Sequence, residues 1–119
     1  MQVFYTLERL YYELDVKEEN NEVETFVING NSKNYDIKSF LNEKGINQVQ
    51  FVLFHPPYWD IIKFSDDKED LSNSDSLESF KEDFGAVIDN CTEVLENKRY
   101  CGVVIGDKYA NSQIVPLGF

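Results

Sequence analysis

The chain has 119 residues, 42% of them hydrophobic and 14% aromatic, enough for one small globular domain and too rich in apolar residues for a disordered tail. Eleven basic against 22 acidic residues leave a net charge of −11, which repels a polyanion, because non-specific DNA affinity comes from Lys and Arg on phosphates. With apolar runs of only about four or five residues and no secretory signal, the expectation is a cytoplasmic protein with no membrane partner.

Residues 3–14 place Phe4, Leu7, Leu10, Tyr11 and Leu14 at helical spacing, while Val-Phe-Tyr and Leu-Tyr-Tyr leave a strand open. An acidic stretch follows, read as a solvated linker. Residues 1–22 therefore form an N-terminal helix and linker, and residues 23–119 the globular unit. Residues 24–28 make a short strand, stopped by Asn29-Gly30-Asn31. Residues 36–44 make a helix with Ile37, Phe40 and Leu41 on one face and Gly45 placed for a left-handed cap. Val49, Phe51, Val52, Leu53 and Phe54 then form a buried strand. Strand, helix and strand over about thirty residues predict a parallel βαβ unit.

His55-Pro56-Pro57-Tyr58 ends that strand, because two prolines cannot donate to a sheet ladder and each fixes its own φ. A stiff aromatic turn is thereby placed at the carboxyl end of a strand, where open α/β sheets bind ligands. Residues 65–75 are polar and acidic and read as a mobile loop, either a lid or a merely solvated connection. Residues 76–97 form the clearest helix, with Leu77, Phe80, Phe84, Val87, Ile88, Cys91, Val94 and Leu95 on one side and Ser74 or Asp75 as its cap. Residues 100–105 make another strand, turned by Gly106-Asp107, and residues 113–117 start a further strand or a loop. Cys91 and Cys101 match no zinc or Cys-x-x-Cys spacing and fall on apolar faces, so both are expected as buried, reduced thiols.

The His55–Tyr58 turn resembles motif IV of the amino-methylating DNA methyltransferases, an Asp/Asn/Ser-Pro-Pro-Tyr/Phe sequence in enzymes that methylate adenine N6 or cytosine N4 from S-adenosylmethionine. Ile28-Asn29-Gly30-Asn31-Ser32 upstream, and Val103-Val104-Ile105-Gly106-Asp107 with Val115-Pro116-Leu117 downstream, extend the resemblance over residues 25–119. It implies an α/β fold: a partial, mostly parallel Rossmann-like methyltransferase sheet with flanking helices. It also implies that His55 and the Pro56 carbonyl accept hydrogen bonds from the target amine, that Pro57 contacts the cofactor, and that Tyr58 stacks on a flipped base with Trp59 walling the pocket. His55 departs from the family pattern. A neutral imidazole can accept such a bond and an imidazolium cannot, so activity should fall as the ring protonates. Asn31, with Ser32, stands where the family has a Gly-Asp that holds the cofactor's adenine; a cofactor contact and a simple turn both fit. Asp107 reads as a structural turn.

The six glycines, at 30, 45, 85, 102, 106 and 118, are isolated, so the glycine-rich cofactor loop of the family is absent, as is a basic DNA-reading region. The chain resembles the amino-terminal catalytic half of the permuted subclass, inactive alone and reaching DNA through a longer enzyme or a complementary chain. Strands left unpaired by the missing half predict exposed sheet edges and a homo-oligomer or partner that covers them. Two other readings stay open: a non-enzymatic interaction module of the same fold, and a methyltransferase acting on a protein side-chain amide.

Overall fold

A computed structural model describes residues 26–118. The helix expected over residues 3–14 and the acidic linker lie outside the described residues. Residues 26–28, expected as the end of a strand, pair with no ladder. Three apolar residues beside no sheet edge make too few backbone bonds to offset the ordering of the chain. Phe26 instead sets its ring against the edge of Phe40, centroids 5.8 Å apart, with the Lys44 ammonium 4.9 Å from its centre.

Helix α1 (Ile37–Glu43) starts at Asp36, whose Oδ1 accepts from the Ser39 amide at 2.9 Å and whose Oδ2 accepts from the Ser39 hydroxyl at 2.7 Å. Those two bonds, the backbone one first, hold the Asp36 carboxyl below its ordinary pKa. The helix closes as its sequence predicts. Gly45 takes φ +74°, its N–H donates to Asn42 O, and Ile46 N–H donates to Leu41 O, the paired bonds of a left-handed helix stop.

Strand β1 (Val49–Phe54), helix α2 (Leu77–Thr92) and strand β2 (Leu95–Val103) follow, and β1 pairs with β2 in parallel. The βαβ unit thus uses the second helix, not the one expected between residues 24 and 54, because residues 26–28 offer β1 no partner. Helix α2 is capped by Ser76, whose Oγ accepts from Ser79 N–H, and it turns Phe80 and Val87 into the core with Phe54, Leu71 and Val94. Phe84 meets Phe54 edge to face at 6.0 Å and stacks beside Phe80.

This helix ends at Thr92, five residues short of the end expected at residue 97. Cys91, Val94 and Leu95 sit at helical intervals, but Val94 is buried where its carbonyl accepts from Val49 N–H at 2.9 Å. Sheet pairing outcompetes propensity there. Between Val49↔Leu95 and Phe51↔Tyr100 the ladder slips, two steps along β1 answering five along β2, and Lys98 takes φ +62° in the extra loop. β3 (Lys108–Ala110) and β4 (Gln113–Val115) form an antiparallel hairpin. Its loop, Asn111-Ser112, has positive φ at both residues, the twist that two-residue hairpins favour.

The described residues therefore form a mixed α/β fold of two α-helices, one 3-10 turn, a parallel pair and a hairpin. Among them no helix is long and apolar enough to cross a membrane. The cysteines depart from expectation. Cys91 is half-buried, with its thiol pKa raised by burial, whereas Cys101 is exposed because β2 is an edge strand with little packed upon it.

Candidate functional site

Because β1 and β2 run parallel, their carboxyl ends emerge at one edge of the sheet. The pairing extends just past β2, where Val104 N–H donates to Phe54 O at 2.8 Å, and the chain then enters His55-Pro56-Pro57-Tyr58. Both prolines are buried, His55 is exposed and Tyr58 is half-buried. These four residues, with Ile61, Ile62 and Phe64, line an open, largely apolar cleft of about 200 Å³. The Tyr58 hydroxyl stands 3.4 Å from His55 Nε2, and the two ring centres are 6.0 Å apart. Tyr58 also lies against the exit of β2. A Cβ at Gly106 would stand 2.8 Å from Tyr58 Cε2, so the ring's place requires a residue without a side chain.

Trp59 does not line the cleft. Its indole N–H donates to the Ser74 carbonyl at 3.1 Å, and the Lys108 ammonium lies 4.4 Å from its ring centre. Lys108 also forms an ion pair with Asp60. Trp59 has φ +53°, a strain of order 1–3 kcal/mol for a bulky side chain. A largely desolvated cation on an indole contributes about 2 kcal/mol in return, and the indole hydrogen bond about 1 kcal/mol, so the contacts match the cost.

The acidic segment after the cleft is neither loose nor merely solvated. Asp70, Leu71 and Ser72 are buried and open a 3-10 turn (Leu71–Asn73). Asp70 accepts from the Ser72 amide at 2.9 Å, the Ser72 hydroxyl at 2.8 Å and the Ser65 hydroxyl at 2.7 Å. Burial raises the Asp70 pKa, but these three donors outweigh it and hold the carboxyl below its ordinary value. Asn73 donates to the carbonyls of Ser65 and Asp67. Ser72 Oγ in turn accepts from Phe64 N–H at 3.1 Å, so this loop supports the lip of the cleft. Composition alone hid this: a polar segment is buried when its own side chains supply the hydrogen bonds.

Asn31 and Ser32 lie elsewhere and do not line the cleft. The Asn31 amide oxygen accepts from Lys33 N–H, and its NH₂ donates to Glu69 at 3.2 Å. Lys33 bridges Glu69 at 2.7 Å and Asp83 at 3.2 Å; the Glu69 bond leads in raising the Lys33 pKa. Asn90 on α2 donates to the carbonyls of Ser32 and Tyr35, both at 2.9 Å. Of the three residues expected to touch S-adenosylmethionine, Pro57 lines the cleft, whereas Asn31 and Ser32 do not. Asp107 accepts from Leu117 N–H at 3.1 Å, closing the base of the β3–β4 hairpin.

Sequence reading overlooked Ile61, Ile62, Phe64 and Lys108, and took Gly106 for a turn without placing it against Tyr58. Three large apolar residues within six positions of Tyr58 were the signal the sequence offered, and the structure leaves all three exposed at the cleft; nothing in the sequence marks Lys108. Comparison with protein-family models, curated proteins and solved structures finds no match for this chain.

Proposed function

We propose that this chain carries the base-receiving half of an S-adenosylmethionine-dependent DNA amino-methyltransferase, acting on adenine N6 or cytosine N4. The supporting observation is the placement of His55-Pro56-Pro57-Tyr58: at the carboxyl edge of a parallel strand pair, opening on an apolar cleft, with the Tyr58 ring seated against Gly106. In this reading Tyr58 offers its face to a flipped base, and His55 and the Pro56 carbonyl accept from the exocyclic amine. Acceptance draws the nitrogen lone pair out of conjugation and aims it, so the chain's contribution is orientation. S-adenosylmethionine would be held together with a complementary segment that supplies a glycine-rich loop and the basic surface that reaches DNA.

The test is methyl transfer from labelled S-adenosylmethionine to DNA by the chain complemented with such a segment. Tyr58→Ala is expected to lower the rate by about a hundredfold, the scale of a lost positioning contact, and undiminished transfer by that variant would sink the reading. A non-enzymatic module is favoured by one observation: the Asn31 amide is engaged on both sides by Lys33 and Glu69. Transfer that fails even though the complemented protein binds both cofactor and DNA would select that alternative.

A further inference from the structure

The turn that follows Tyr58 is held from outside itself. Ile61 N–H donates to Tyr58 O at 3.4 Å, which places Trp59 at the second position of a four-residue turn with φ +53°. Turns of that geometry usually place glycine there, and residues 55–64 contain none. The conformation is therefore imposed by neighbours. Lys108, at the start of β3, pairs with the Asp60 carboxylate and covers the Trp59 ring, and its side chain is only 17% exposed. Two residues earlier, Gly106 admits the Tyr58 ring. One short piece of chain thus grips three consecutive residues of the turn.

We propose that Lys108 is a positioning residue for the cleft: by clamping Trp59 and Asp60 it fixes the direction in which Tyr58 and His55 present their rings. The use of that clamp rests on the base-binding reading above; its existence does not. Lys108 does not line the cleft, so its effect travels through residues 58–60.

Trp59 is the sole tryptophan of the chain, so its fluorescence reports this turn alone. In the full chain, Lys108→Met keeps an unbranched apolar stem and removes the charge, Lys108→Arg keeps a cation for both ring and carboxylate, and Asp60→Asn removes the ion pair at constant size. Acrylamide quenching of Trp59 is expected to rise about twofold or more in Lys108→Met, to rise less in Asp60→Asn, and to return to the wild-type value in Lys108→Arg, with far-ultraviolet dichroism unchanged. Unchanged quenching in Lys108→Met, or a rise that Lys108→Arg does not reverse, overturns the proposal. If Lys108→Met fails to fold, Asp60→Asn decides: a rise supports the clamp and no rise overturns it.

Adenosine and cytidine, which are neutral and escape the repulsion of the acidic chain, serve as the ligand probes, the binding of either followed by the ring resonances of Tyr58. Lys108→Met is expected to weaken it about threefold or more through misplacement of the ring, and Lys108→Arg to restore it. Weakened binding with Trp59 quenching unchanged overturns positioning. A wild-type chain that binds neither nucleoside, while Lys108→Met still releases Trp59, leaves the clamp standing and removes the base-binding reading instead.

Discussion

On the α2 side of β1, Phe54 is 2% exposed and lies against Phe84. On the opposite side Phe51 and Leu53, equally apolar, are 56% and 61% exposed, with Tyr100 of β2 beside them at 80%. Alternate residues of one strand point to opposite faces, so the two sets differ only in what covers them. A run that is apolar on both faces is typical of a parallel strand sandwiched between layers. The bare side therefore marks a face that the sequence equips for burial and that the described residues leave open.

The largest contrast lies between the two faces. Phe80→Ala, which empties a 3% exposed site under the sheet, is expected to cost about 3–5 kcal/mol, read from the midpoint of urea unfolding. A cost under about 1 kcal/mol would mean that α2 packs loosely on β1, and the distinction between a built face and a bare one would collapse.

Asp70 gives the next effect and bears on the covered side of the molecule. Asp70→Ala strands the buried Ser72 amide and hydroxyl, at about 1–3 kcal/mol for each donor left without a partner, and releases the half-buried Ser65 hydroxyl, which water can reach, so a loss of about 2 kcal/mol or more is expected. The carboxyl's pKa is lower folded than unfolded. Its contribution is thus fully present above the unfolded value and is lost as pH falls through the folded one. Stability should drop less between pH 7 and the acid range in Asp70→Asn than in wild type; equal drops would show that Asp70 carries no such linkage. Asp66 and Glu69, also lowered by lysine contacts but solvated, should leave the acid limb nearly unmoved.

How far the fold was legible follows from these residues. Local devices could be read directly: the Gly45 stop, the strand over residues 49–54 and its end at Pro56-Pro57, and the apolar face of α2 through Cys91, because each is decided within a few residues of chain; the burial expected for that strand holds for Phe54 and fails for Phe51 and Leu53, which no layer covers. What depended on distant partners could not. The end of α2 turned on Val94 bonding to Val49, the idle stretch 26–28 turned on the absence of a neighbouring edge, and the buried Asp70 loop was composed like a solvated one. At the candidate site the turn was visible as Pro-Pro-Tyr, whereas the opposing surface from Gly106 to Lys108 lies about fifty residues away and is defined only by approach.

Gly106→Ala tests that approach at smaller cost. The added methyl meets the Tyr58 ring at 2.8 Å, so the ring must turn or the strand exit must shift, an overpacking cost of about 1–2 kcal/mol at a half-open position. The Tyr58 ring resonances should move while those of Phe80 and Phe84 stay in place. Unmoved Tyr58 resonances would separate β2's exit from the cleft.

The smallest expected effect is on the bare face. Leu53 keeps 61% of its surface in water and lies opposite Gly102 on β2, where a Cβ would stand 3.2 Å from its Cδ1. Leu53→Ser should therefore change the stability of the chain alone by only about 0.5 kcal/mol, as exposed sites generally do. A loss above about 2 kcal/mol would be the burial cost of a covered leucine and would mean that the face is occupied in solution, by residues 1–25 or a second copy; dilution separates these, because a contact between copies weakens with concentration and one within a chain does not. The same substitution, neutral alone, should cost roughly 2–5 kcal/mol once a complementary segment lies on the sheet. That change of sensitivity at one residue, measured with and without the segment, tells an open face awaiting a layer from one that water covers.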